Sequence, residues 1–184
     1  MNYILASQSP RRKQLLKILL PHFEIESADV DESFDSSMKT TQIPIYIAQK
    51  KALAIQKRHP HDCIIAADTI VVFKQKILGK PHSSEEAFQM LQMLSNQTHQ
   101  VITGVCILKG KRKKVFYSST TVSFYELSKK EINEYIETFS PFDKAGGYGI
   151  QDTGALFVKK INGDFYNVMG LPIAKLSRIL KTFE

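Results

Sequence analysis

Between residues 63 and 73 the chain reads Cys-Ile-Ile-Ala-Ala-Asp-Thr-Ile-Val-Val-Phe, an apolar, partly β-branched run broken only by Asp68 and Thr69. Such a run predicts a strand. A carboxylate in its middle is costly unless it is paired or metal-bound, so the segment that predicts a sheet also marks a candidate site. The plainer explanation is an Asp in a turn or at a strand end.

Around this strand the elements alternate. Residues 3–6 form a short apolar strand. Ser9 suits an N-cap and Pro10 the first helical position, and residues 11–20 carry Leu15, Leu16, Ile18, Leu19 and Leu20 at helical spacing. Residues 23–27 read as a second strand and 29–39 as a polar, acidic loop. Pro44 opens a helix with Ile47, Ala48, Ala52 and Ile55 on one face, and His59-Pro60-His61 closes it. Ser83 with Glu86, and Ser128 with Glu131, are capping-box patterns that start two more helices. Between them, residues 98–108 and 115–126 are strand-like and form a hairpin with Gly110 near its tip. Residues 143–154 are a glycine-rich loop, 155–161 a strand, Asn162-Gly163 a turn and 172–183 a closing helix. The expected fold is α/β, a mixed sheet flanked by helices. With no repeat, linker or low-complexity tract, the 184 residues fit a single domain spanning 1–184, or two lobes on one core.

Composition bounds the function loosely. The hydrophobic fraction is 43% and the charged fraction 23%, ordinary values that argue against disorder. The N-terminus lacks the basic and apolar regions of a signal peptide, and no stretch is long and apolar enough to span a membrane. Cys63 and Cys106 each sit in an apolar run with no Cys-x-x-Cys pair, which suits a reducing, cytoplasmic compartment. The net charge of +7 fits nucleic acid, an anionic membrane or a phosphorylated small ligand. Its run at 109–114 reads as a solvated hairpin tip.

Three segments could carry chemistry. In Ala6-Ser7-Gln8-Ser9-Pro10-Arg11-Arg12 a strand ends and a helix begins, and the helix N-terminus with two arginines suits an anion. A capped helix with two solvated arginines is the alternative. The second is Ala67-Asp68-Thr69, followed by Leu78-Gly79-Lys80-Pro81, where Lys80 reaches for phosphate or is a turn lysine. The third is Asp143-Lys144-Ala145-Gly146-Gly147-Tyr148-Gly149-Ile150-Gln151, whose glycines admit a ligand close to the backbone and whose Gln151 offers a donor and an acceptor to a base edge. A plain tight turn explains that loop equally. Asp31-Glu32 alone reads as solvated acid. No P-loop, nucleophile elbow or helical histidine pair is present.

Taken in order, these segments resemble the Maf family of ITPase-like nucleotide pyrophosphatases, once called septum formation inhibitors. The resemblance runs the length of the chain, through Leu5 to Arg12, Asp31-Glu32, Lys51-Ala52, Ala67-Asp68-Thr69, Leu78-Gly79-Lys80-Pro81, Asp143 to Gln151 and Val168-Met169-Gly170-Leu171-Pro172. Asp152 departs from it, since the family often has glycine there. The resemblance implies an elongated, twisted mixed sheet with a cleft between two lobes. It implies attack of water on the α-phosphorus of a nucleoside triphosphate, releasing pyrophosphate. Arg11, Thr69 and Gln151 match the specificity positions of the dTTP/UTP branch; a 7-methyl-GTP branch is the alternative. Asp68, Glu32 and Lys80 become the expected catalytic residues, with Glu32 and Asp68 holding a divalent cation, Mg2+ or Mn2+. Ser7, Arg11, Arg12, Lys51, Thr69 and Gln151 become the substrate contacts. A homodimer is implied by resemblance alone, and neither a membrane nor nucleic acid is expected as partner. The rival from another class is a basic nucleic-acid-binding or cell-division regulatory protein, but no base-reading helix or aromatic RNA motif is visible.

Overall fold

The computed structural model describes residues 2–138 and 141–183. Its elements run β1 (Tyr3–Leu5), α1 (Pro10–Leu19), β2 (Glu24–Ile25), α2 (Ile43–Gln56), β3 (Cys63–Phe73), β4 (Lys76–Leu78), α3 (Ser84–Leu94), β5 (Thr98–Lys109), β6 (Arg112–Phe124), α4 (Lys129–Thr138), β7 (Val158–Asn162), α5 (Phe165–Met169) and α6 (Ile173–Leu180). The strands form one mixed sheet in the order β2-β1-β3-β5-β6-β7, with β4 paired to β3. The described residues group into two compact units, one drawn from 2–69, 103–118 and 170–183, the other from 70–102 and 119–169.

In the first unit β1 lies parallel to both β2 and β3, with Leu5 opposite Ile25 and Ile65. Parallel strands of this kind are covered on both faces, and residues 63–68 of β3 are all buried. Ile4, Ala6, Ala48, Ala52, Ile55, Ile64 and Cys106 share one core. The small residues let α2 press close to the sheet. At Gly104 a Cβ would stand 2.3 Å from the backbone of Pro44 and Ile45, so only glycine fits beneath the start of α2. Ser9 caps α1 by accepting the Arg12 N–H at 3.4 Å. Leu15 and Leu16 are buried, but Ile18, expected on the apolar face, is exposed. The second strand shrinks to two exposed residues, because edge strand β2 has little side-chain burial to extend it. The basic hairpin tip is only partly solvated: Lys109 Nζ donates to the Phe183 carbonyl at 3.2 Å, and Arg112 donates to Thr182 and Phe183. These cations satisfy carbonyls beyond the end of α6, where the helix dipole favours positive charge.

In the second unit Val71 faces Leu78 across the β3–β4 hairpin, a small antiparallel pair that apolar periodicity alone did not reveal. Its turn residues Lys74 and Gln75 have φ of 47° and 66°. Val71, Leu91, Leu94, Val122, Phe124, Tyr135, Tyr148 and Phe157 build the core. Both capping signals start helices. Ser128 and Glu131 exchange bonds reciprocally. At α3 Ser83 accepts the Glu86 N–H, while Glu86 reaches one residue further back, to the His82 N–H at 2.7 Å.

The glycine-rich stretch is more ordered than a loop, with 3-10 turns at Ala145–Gly147 and Thr153–Phe157. Residues 155–157, expected as strand, belong to the second turn, which Asp152 starts by capping the Gly154 N–H at 2.8 Å. The strand therefore begins at Val158. Helix α5 was not expected, and α6 ends at Leu180 rather than near Phe183.

Candidate active site

The first unit gathers the residues of the strand-to-helix turn, the acidic loop and β3. As β1 ends, Ser7 folds back so that its Oγ accepts the Ser9 N–H at 3.2 Å. Arg12, half-buried in the first turn of α1, then reaches three partners. Its Nε donates to the Gly170 carbonyl at 2.9 Å, Nη1 to Ser7 Oγ at 3.2 Å and Nη2 to Thr69 Oγ1 at 3.0 Å. Thr69 Oγ1 lies 2.9 Å from Thr103 Oγ1. Desolvation draws the Arg12 guanidinium below its ordinary pKa; the charges of Asp68 and Glu32 oppose that shift and Arg11 adds to it. Arg12, expected on triphosphate, thus ties together the Ser7 turn, the Gly170 turn and β3. Two of its five N–H donors remain for an anion.

Asp68 lies inside β3, not in a turn or at a strand end, and is 8% exposed. Its cost is offset by Lys51 of α2, whose Nζ donates to Asp68 Oδ1 at 2.8 Å and lies 2.7 Å from Glu32 Oε1. One ammonium is therefore shared by two carboxylates. The Lys51 side chain is 12% exposed and that of Glu32 53%, so the pairing has a buried side and an open side. Glu32, read in isolation as a solvated acid, is drawn to the same charge as Asp68. Its neighbour Asp31 faces Lys50 at 3.8 Å and accepts from Ser33, whose hydrogen bonds hold Asp31 below the usual carboxylate range.

Lys80 and Gln151 belong to the second unit, and both are exposed. The fold joins their segments there, because the Gly146 N–H donates to the Gly79 carbonyl at 2.9 Å. Ser7, Arg11, Arg12, Glu32, Lys51, Asp68 and Thr69 all fall in the first unit. Sequence reasoning missed Thr103 and the Gly170 carbonyl. A threonine in a strand carries no special signal, and a backbone acceptor carries none at all.

Among the described residues no three His, Cys, Asp or Glu side chains gather into an all-protein metal cage. A magnesium-like ion does not require one. It takes one or two carboxylates and completes its shell with phosphate and water oxygens. Glu32 and Asp68, converging on a single positive charge, are a donor pair of that type. Among the described residues no helix is long and apolar enough to cross a membrane.

Residues 2–183 match the Maf-like protein family. A protein of Bacillus pumilus named dTTP/UTP pyrophosphatase is 49% identical, over 98% of this chain and 95% of its own length. One of the same name from Cytophaga hutchinsonii is 51% identical, over 94% and 80% respectively. The Staphylococcus aureus Ham1 protein superposes with a TM-score of 0.56 at 15% identity over the full length of both chains. A HAM1 protein from Coxiella burnetii does so at 0.51 and 13%, covering 99% of each. These two structures speak for the mixed α/β fold alone, whereas the match along nearly the whole sequence assigns the lineage: the chain belongs to the Maf-like protein family.

Proposed function

We propose that this protein is a nucleoside triphosphate pyrophosphatase that hydrolyses dTTP and UTP to the monophosphate and pyrophosphate. The observation that carries the reading is Lys51 Nζ held between Glu32 and Asp68, in the same unit as Arg11, Arg12 and Thr69. The names of the relatives at 49% and 51% identity supply the substrates.

In the reaction a water oxygen forms a bond to the α-phosphorus, and the bond from that phosphorus to the bridging oxygen of the β-phosphate breaks. The electron pair of the broken bond leaves with pyrophosphate. Asp68 takes the proton of the attacking water, and Lys51 keeps that carboxylate oriented. Arg11, the two uncommitted N–H groups of Arg12, and Lys80 offset phosphate charge. The Ser7 turn presents the start of α1 to the same anion. Thr69 and Gln151 read the pyrimidine; the roles of Gln151 and Lys80 rest on the family resemblance. Glu32 and Asp68 would hold a Mg2+ or Mn2+ ion, which when bound neutralises phosphate charge and makes water a better nucleophile. We place the protein in the cytoplasm, where its two buried thiols would stay reduced, and expect a homodimer.

The test is pyrophosphate release from a panel of nucleoside triphosphates, with magnesium, manganese or chelator. Release from UTP and dTTP that chelator abolishes is the expected outcome. Release from 7-methyl-GTP alone would keep the reaction and overturn the base assignment. No release from any nucleotide, together with salt-sensitive nucleic-acid binding, would replace the enzyme reading.

A further inference from the structure

Gln151 is exposed, yet the backbone on both sides of it is fixed within the second unit. The residue that follows it, Asp152, is the hub. Asp152 Oδ1 accepts the Gly154 N–H at 2.8 Å, and Oδ2 lies 3.7 Å from Lys144 Nζ. The Tyr135 hydroxyl hydrogen-bonds the same carboxylate. Its oxygen also accepts the Gly149 N–H at 3.0 Å, so one phenol ties the chain before Gln151 to the chain after it. Tyr135 is 3% exposed, and burial first, then the Asp152 charge, keeps its proton on the oxygen. The chain is wrapped tightly: a Cβ on Gly149 would stand 2.3 Å from Asp152 Oδ2 and 2.8 Å from Lys144 Cε. One residue earlier, the Tyr148 hydroxyl lies 2.7 Å from Nε2 of buried His99.

We propose that Asp152, working with Tyr135, is a positioning residue for base selection, fixing the backbone from which Gln151 meets the uracil or thymine edge. The proposal rests on the reading of Gln151 as the base reader. A carboxamide can donate to a carbonyl oxygen of the pyrimidine and accept its ring N–H. Both bonds form only if the amide is held at the right place, and misplacement of about 1 Å is enough to cost affinity. The backbone that carries the Gln151 amide sets where that amide can reach. Asp152 receives donors from a helix and from the following turn and faces the Lys144 ammonium, which is what a fixed backbone point requires.

The test compares steady-state kinetics on UTP for Gln151→Ala, Asp152→Ala, Tyr135→Phe, Asp152→Asn and the Gln151→Ala/Asp152→Ala double variant. Asp152→Ala should raise KM about tenfold while kcat changes less than about twofold. Tyr135→Phe, which keeps the ring and loses one hydroxyl, should raise KM about threefold. Asp152→Asn keeps an acceptor for the Gly154 N–H and should recover part of the loss. Because Asp152 acts through Gln151, the double variant should be no worse than Gln151→Ala. Wild-type KM in Asp152→Ala and Tyr135→Phe, alongside a raised KM in Gln151→Ala, overturns the positioning role alone. A full additive loss in the double variant also overturns it. Wild-type KM in Gln151→Ala overturns the base-reading assignment and this proposal together. If Asp152→Ala does not fold, Tyr135→Phe and Asp152→Asn decide by the same comparison.

Discussion

Lys51 answers the problem that Asp68 poses. A carboxylate 8% exposed inside an apolar strand needs a partner, and Lys51 serves it while also reaching Glu32. Asp68→Asn keeps the shape and removes the base, so kcat should fall by about 10²–10⁴. Near-wild-type turnover would mean another group takes the proton. The cysteines make the opposite point about burial. Desolvation pushes the Cys63 thiol up to about 11 and Cys106 to about 12, against smaller opposing pulls from Lys109 and Arg112 on the first and Lys113 on the second. Neither should be alkylated by iodoacetamide in the folded protein at pH 8, while both should react in denaturant, as intact mass would show. Rapid labelling of the native chain would contradict that burial. Asp68 was legible as a candidate at this scale, because a carboxylate inside an apolar run needs a partner, whereas Arg12 and Gln151 each had a plain explanation that only the ordered family resemblance outweighed. Glu32 was not legible without the family resemblance, since an acid in a polar loop becomes informative only when the fold brings it to Lys51. Thr103 gave no signal, as its hydroxyl matters only through its distance to Thr69.

Elements were legible where two signals agreed. β3 has the bounds its apolar run predicted, and Ser9-Pro10, Ser83 and Ser128 start helices through the caps their sequences announced. Short elements escaped. α5 and the 3-10 turn at Thr153–Phe157 are too brief for periodicity, and Asp152, which caps that turn, stood out in the sequence only as a departure from the family. Two element-level substitutions follow from backbone geometry. Gly104→Ala places a Cβ 2.3 Å from the backbone of Pro44 and Ile45, which cannot yield as a side chain would. It should destabilise the fold by about 3 kcal/mol, the upper part of the range for overpacking, and urea denaturation would read it. An unchanged midpoint would mean that α2 can lift off the sheet at little cost. The β3–β4 turn offers the reverse. Lys74 and Gln75 both hold positive φ, where Asn-Gly is favoured, so the double replacement Lys74→Asn/Gln75→Gly should stabilise by about 1 kcal/mol. A lower midpoint would show that the two side chains contribute more than their backbone strain costs.

At the scale of the whole molecule, the response to acid separates into two windows. Glu26, Asp31, Asp35 and Glu131 all have folded pKa values below their ordinary range. For such groups stability is present above the unfolded value and is lost only as pH falls through the lower, folded one. Asp31, Asp35 and Glu131 are exposed and Glu26 is partly so, so each contributes little, and that little is lost only in strong acid. His99 acts earlier and more strongly. It is 2% exposed, with Nε2 on the Tyr148 hydroxyl and its ring edge-on to Phe124 at 4.9 Å. No hydrogen bond reaches its Nδ1, and burial lowers its pKa from 6.5 to about 4. Between those values the unfolded chain binds a proton that the folded chain refuses. The His99 contribution is therefore complete above about pH 6.5 and drains away as pH falls towards 4, a loss of about 3 kcal/mol. Urea denaturation at several pH values across that window should show stability falling steadily with acid. His99→Gln cannot titrate, so it should be less stable at neutral pH but should lose far less between pH 6.5 and 4. Parallel slopes for the two proteins would assign the acid response to other groups. A slope confined to the wild type would show that one buried imidazole, in the core beneath the Tyr148–Gln151 segment, sets the acid limit of the fold.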